Sequence, residues 1–139
     1  MGARLHKAAS LPAILAAGFD TFEAIRGVAR AYEDAAPELF AAFMTAADAA
    51  VGGRDALMFA PSLPDDGMQS DPAGPTAGHP VDEVTDALAG LGALLHQRLT
   101  QATALATAPD DRSACEEAAK AAERVHHLMA RDDHDGNVW

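Results

Sequence analysis

The sequence predicts an all-α protein, a four-helix bundle with a long Pro/Gly-rich connection between its second and third helices. Three observations carry that expectation. Four segments repeat apolar residues at steps of three and four, much of the apolar content is Ala, the best helix former, and no useful length alternates apolar and polar residues. At 139 residues the chain suits one domain with its own core, so residues 1–139 are expected to form a single helical domain. Aromatic bulk is sparse, with five Phe, one Tyr and one Trp. Each buried Ala removes little surface from water, so stability must come from long, close-packed interfaces, to which a homo-oligomer would add.

Ser10 suits the cap of a helix opening with Leu11 and Pro12, because proline's missing N–H costs nothing in a first turn. Phe22, Ile25, Ala29 and Tyr32 then recur at helical spacing, and the first helix is expected over 11–35. A break near Gly18 is expected within it, since Asp20-Thr21-Phe22-Glu23 reads as a capping box. Arg4 and Lys7 ahead of the apolar stretch 8–19 have the outline of a secretory signal, with Ala-Ala-Gly at 16–18 as a cleavage region. Pro12 and the direct passage into a helical pattern favour reading this stretch as the first part of the fold.

Pro37 closes the first helix and suits the first turn of the second, expected over 37–58. Phe40, Phe43, Met44, Ala47 and Val51 form its expected buried face, and Gly52-Gly53 reads as a stop signal before one more helical turn over 54–60. Leu57-Met58-Phe59 is expected in the core, although Met and aromatic residues also suit adaptable binding surfaces. Residues 61–80 are Pro, Gly, Asp and Ser with no periodicity and read as a loop or linker. That length can run along a bundle, so the second and third helices need not be antiparallel neighbours.

Pro80 opens the third helix, expected over 80–107, in which Val81, Val84, Leu88, Leu91, Leu95, Ala102 and Leu105 make a packing seam with Arg98 as the exception. Leu94 and Leu99 widen it beyond a two-stranded coiled coil, which suits a helix touching more than one partner. Cys115, Ala118, Ala122, Val125 and Met129 repeat the spacing in a fourth helix, expected over 110–131, and the last two helices form a hairpin. Residues 132–139 read as a polar tail ending in Trp139.

Ten Lys plus Arg against twenty-one Asp plus Glu give a formal charge of −11, a field that repels phosphate backbones and anionic lipid surfaces. Neither nucleic acid nor a membrane is an expected partner, and no apolar run approaches the roughly twenty residues needed to span a bilayer. Cys115 is the sole cysteine, which excludes an intrachain disulfide and fits a reducing, cytoplasmic compartment.

Candidate chemistry is thin. Glu123-Arg124-Val125-His126 resembles the Glu-x-x-His unit of ferritin-like di-iron bundles, where residues three apart share one metal. The resemblance covers four residues, and the second unit and inward glutamates that such a centre needs are missing from the pattern. Glu123, His126 and His127 are the candidate metal ligands, extended by His134 with Asp132, Asp133 and Asp135. His96 faintly resembles the phospho-accepting His of histidine phosphorelay bundles but lacks the Lys-Gly or Glu-x-x-Arg surroundings that resemblance implies. Phe22, Tyr32, Phe43 and Leu95, with His96 or His126 as the polar group, are the candidate lining of a ligand pocket between helices. Cys115 sits on the apolar face, where burial raises a thiol's pKa. No catalytic residue and no cofactor are expected. The leading expectation is a non-catalytic protein-protein interaction or scaffold bundle, partnered by another chain, itself as a homodimer. The alternative is a small enzyme or a ligand- or metal-binding bundle with a site between helices.

Overall fold

A computed structural model describes residue 5, residues 7–64 and residues 79–130. Four helices form an all-α bundle: α1 Leu11–Tyr32, α2 Phe40–Met58, α3 Val81–Leu105 and α4 Pro109–Met129, with a 3₁₀ turn at Pro37–Leu39 feeding α2. Residues 65–78 of the expected connection and residues 131–139, which hold the polar tail, His134 and Trp139, lie outside the described residues.

α1 begins as its sequence dictates, with the Ser10 hydroxyl accepting from the Ala13 N–H at 3.3 Å and Pro12 in the first turn. The break expected near Gly18 is absent. Thr21 donates to the Ala17 carbonyl at 2.7 Å within a continuous helix, and Glu23 turns to Arg26 and Arg54 instead of capping. A helical glycine costs only about 1 kcal/mol, and packing on both sides outweighs it here. Gly18 is buried where α1 meets Leu57 of α2 and Leu95 and Leu99 of α3. The stop expected at Gly52-Gly53 is likewise overridden. α2 runs on to Met58 because the fully buried Phe22 ring occupies the space that a Cβ at Gly53 would fill.

α1 packs on α2 and α3, and α4 packs on α2 and α3, while the pairs α1/α4 and α2/α3 do not meet. The start of α1 lies beside the ends of α2 and α3, through Gly18 with Leu57 and Leu99. Gly92 of α3 lies against Ala122 and His126 of α4, and Asp111 at the start of α4 holds Ser62 just past the end of α2. The helices therefore run up, down, down, up. Every touching pair is antiparallel, and the chain leaves at one end after α2 and resumes at the other before α3. A single long crossover of this kind is one of the standard connectivities of four-helix bundles.

Alanines are buried in both halves of the core, and the aromatic rings are confined to one. Phe22, Ile25, Phe43 and Leu57 fill the α1/α2 half, with the Tyr32 and Phe43 ring centroids 6.5 Å apart. In the α3/α4 half Gly92 brings two backbones together, since a Cβ there would stand 2.7 Å from the His126 nitrogen. Cys115, Ala118, Ala122, Val125 and Met129 are buried as α4's spacing predicts. On α3 the seam residues Val84, Leu88, Leu95, Leu99 and Ala102 are buried, together with Thr85, Ala89 and Gly92, whereas Val81 and Leu91 are half-buried and Leu105 is exposed. Arg98 turns away from this seam, its Nε donating to the Leu5 carbonyl at 3.2 Å. Among the described residues no helix is long and apolar enough to cross a membrane.

Candidate functional site

The largest departure from the sequence pattern lies on α2. Its core-facing arc is Ala42, Phe43, Ala46, Ala47, Ala49, Ala50, Gly53 and Leu57. Phe40, Met44 and Val51, expected inside, are displaced outward. The small residues let α2 approach both α1 and α4 closely, and the large ones then have no room between the helices. Phe40 and Met44 are each 39% exposed, Met58 is 60% exposed and Phe59 is 81% exposed, so the expectation of a buried Leu57-Met58-Phe59 holds only for Leu57. Four of the five exposed large hydrophobic residues among those described belong to α2 or its C-cap. At 3.6 residues per turn, Phe40, Met44, Val51 and Met58 fall within about 40° of one another on the helix. Apolar residues thus extend beyond the buried face of α2 onto its outward side, beside the polar strip of Thr45, Asp48 and Asp55, and an apolar arc this wide is normally enclosed by protein.

Two adjoining grooves run along the outside of the α2/α4 pair. One, of about 620 Å³, is lined from α2 by Asp48, Ala49, Gly52, Asp55 and Ala56 and from α4 by Glu117, Lys120, Ala121 and Arg124, with Phe59 at its end. The other, of about 410 Å³, lies between Phe59 and the first turns of α4 at Asp110, Ser113 and Ala114. The α2 rim is acidic, with Asp48 and Asp55, whereas the α4 rim is mixed, with the basic Lys120 and Arg124 beside Glu117. Lys120 reaches Glu117 at 3.3 Å, an exposed pair within one helix. Asp48 and Arg124 make no hydrogen bond or ion pair among the described residues.

On the other flank of α2, Arg54 bridges to Glu23 of α1 and also holds Asp55 at 3.0 Å, while Arg26 reaches Glu23 at 3.3 Å. Burial pulls the Glu23 carboxyl upward, but the hydrogen bonds and charges of Arg54 and Arg26 together outweigh it and hold the group below its ordinary value of 4.5. Hydrogen bonding to Glu23 raises Arg54 in turn. This pairing fixes α1 to α2 and engages Asp55 of the groove rim, leaving Asp48 as the unengaged acid of that rim.

The remaining residues singled out from sequence are scattered. Phe22, Phe43 and Leu95 are fully buried, Tyr32 is nearly so, and His96 is half-buried; none of them lines either groove. No protein-family model, curated protein or solved structure matches this chain. Any function must therefore be argued from the surface itself. Glu123 is exposed and lies 3.8 Å from the exposed His127, whose ring centroid is 5.4 Å from that of His126. The Nδ1 of His126 stands 3.0 Å from the Ala89 carbonyl; a carbonyl only accepts, so Nδ1 carries the hydrogen and ties α4 to α3. Among the described residues no group of three His, Cys, Asp or Glu is arranged to hold a metal. Cys115 is buried, and desolvation with the nearby Asp111 and Glu116 charges pushes its thiol up to about 11, which suits a packing residue.

Helical periodicity missed the outward row of α2 because it selects large apolar residues, whereas this helix buries alanines. One signal was present in the sequence: α2 carries three charged residues, Asp48, Arg54 and Asp55, too few to solvate half of a 19-residue helix.

Proposed function

We propose that this chain is a non-catalytic helical interaction protein that works as a homodimer through the outward face of α2. The observation that carries the reading is the outward apolar row of α2, with Phe40, Met44, Met58 and Phe59 turned away from an otherwise well-buried core. Water-exposed apolar residues gathered on one element mark an association surface more often than a solvated one. An alanine-rich core adds weight, because it removes little surface per residue and benefits from further burial between chains.

Sedimentation equilibrium tests it directly. The wild-type chain is expected to form a dimer at micromolar concentrations, and Met44→Asp and Phe59→Asp, both at exposed positions, are expected to shift it to monomer with unchanged helix content by circular dichroism. A wild-type chain that stays monomeric at about 100 μM, weaker than an affinity of roughly −5.5 kcal/mol, would remove the reading.

A further inference from the structure

We propose that the groove between α2 and α4 seats a second copy of this chain, in a twofold pair whose axis runs along the helices. Groove then faces groove, and α2 of each copy lies against α4 of the other. The inference rests on the self-association reading above and adds the surface and its register.

Charge is the first support. Asp48 on the α2 rim and Arg124 on the α4 rim line the same groove, carry opposite signs and engage no other group among the described residues. A twofold axis along the groove carries the α2 rim of one copy onto the α4 rim of the other, so Asp48 of each meets Arg124 of its mate and both charges are satisfied twice over. A partner with one sign of charge satisfies only one rim. Shape is the second support. Gly52, exposed along the groove, carries no side chain, and a Cβ added there would meet nothing within 4 Å, so α2 offers a mate an unobstructed backbone surface at this point. Phe59, 81% exposed at the groove's end, is the apolar anchor.

The test is a charge exchange read by sedimentation equilibrium. D48R sets arginine against arginine across the twofold axis, and R124D sets aspartate against aspartate; each is expected to weaken association at least about tenfold. An equimolar mixture of the two variants restores both pairs between unlike chains, and the double variant D48R/R124D restores them between like chains. Both are expected to return to within about threefold of wild type. Recovery on mixing rules out misfolding, because neither chain has changed. If wild type dimerises but single variants associate equally well, or the mixture shows no recovery, the groove is not the seat and the self-association reading stands without it. A monomeric wild type overturns both.

Discussion

The α1/α2 hairpin and the α3/α4 hairpin solve the same packing problem with different residues. The first holds every Phe and the Tyr of the chain and turns Phe40, Met44, Met58 and Phe59 outward. The second packs Leu and Ala around a backbone-to-backbone approach at Gly92 and faces outward with charge. The contrast is sharpest between the antiparallel neighbours α2 and α4: α2 carries three charged residues and α4 carries eight. α4 reads as a helix finished for water. α2 keeps large apolar residues on its outward side. The difference teaches that a helix's apolar content and its buried face can be separated, since close approach of neighbouring helices selects small residues for the core and leaves the large ones outside.

The largest expected effect tests the aromatic half. Phe22 is fully buried with its ring over Gly53, so Phe22→Ala removes bulk from a site whose walls are helices that cannot easily collapse. A loss of about 3–5 kcal/mol in urea unfolding is expected. A loss below about 1.5 kcal/mol would show that the α1/α2 half does not depend on its aromatic core.

The two glycine contacts sharpen the comparison at smaller scale. Gly92→Ala drives a Cβ to 2.7 Å from the His126 nitrogen and 3.0 Å from the Ala122 carbonyl, so α3 and α4 must separate. Gly53→Ala meets the far end of the Phe22 ring, a side chain that can shift. Both are overpacked, at about 1–3 kcal/mol, but Gly92→Ala is expected at the upper end and Gly53→Ala at the lower, because backbone yields less than a ring. Equal losses in parallel thermal melts would contradict the distinction between the two halves.

These contacts also mark what the sequence discloses. The four helices are legible because Pro12, Pro37, Pro80 and Pro109 stand at helix starts and the apolar steps of α1 and α4 coincide with their buried faces. Crossing of the chain from one end of the bundle to the other is legible only as a permission, from the length of the 61–80 segment. Two glycine signals misled, since Gly18 and Gly53 are places where other helices come close, a tertiary fact that local propensity cannot contain. The outward row of α2 was hidden for the same reason: whether Ala or Phe faces the core depends on how near the neighbouring helices stand. Asp111, with Pro-Asp-Asp at a helix start, reads as a favourable charge near the dipole; its two bonds to Ser62, at 2.9 and 2.6 Å, join residues 49 apart and carry no sequence signature.

The smallest effect is electrostatic and again separates the hairpins. Glu23 and Arg54 join α1 to α2 while partly shielded from water, whereas Glu117 and Lys120 form an exposed pair within α4. Because the Glu23 carboxyl is held below 4.5 in the folded chain, the unfolded chain binds its proton first as pH falls. The contribution to stability is therefore complete above the unfolded value and is lost as pH falls through the folded one. Glu23→Gln is expected to cost about 0.5–1 kcal/mol at pH 7, and the gap between it and wild type should close on acidification below pH 4.5. Glu117→Gln is expected to change stability at pH 7 by no more than about 0.3 kcal/mol, as an exposed intrahelical pair should. Urea titrations of the three proteins at a series of pH values decide the matter: a gap for Glu23→Gln that stays constant with pH would mean that the Glu23 side chain supports the α1/α2 contact by its shape and hydrogen bonding and not by its charge.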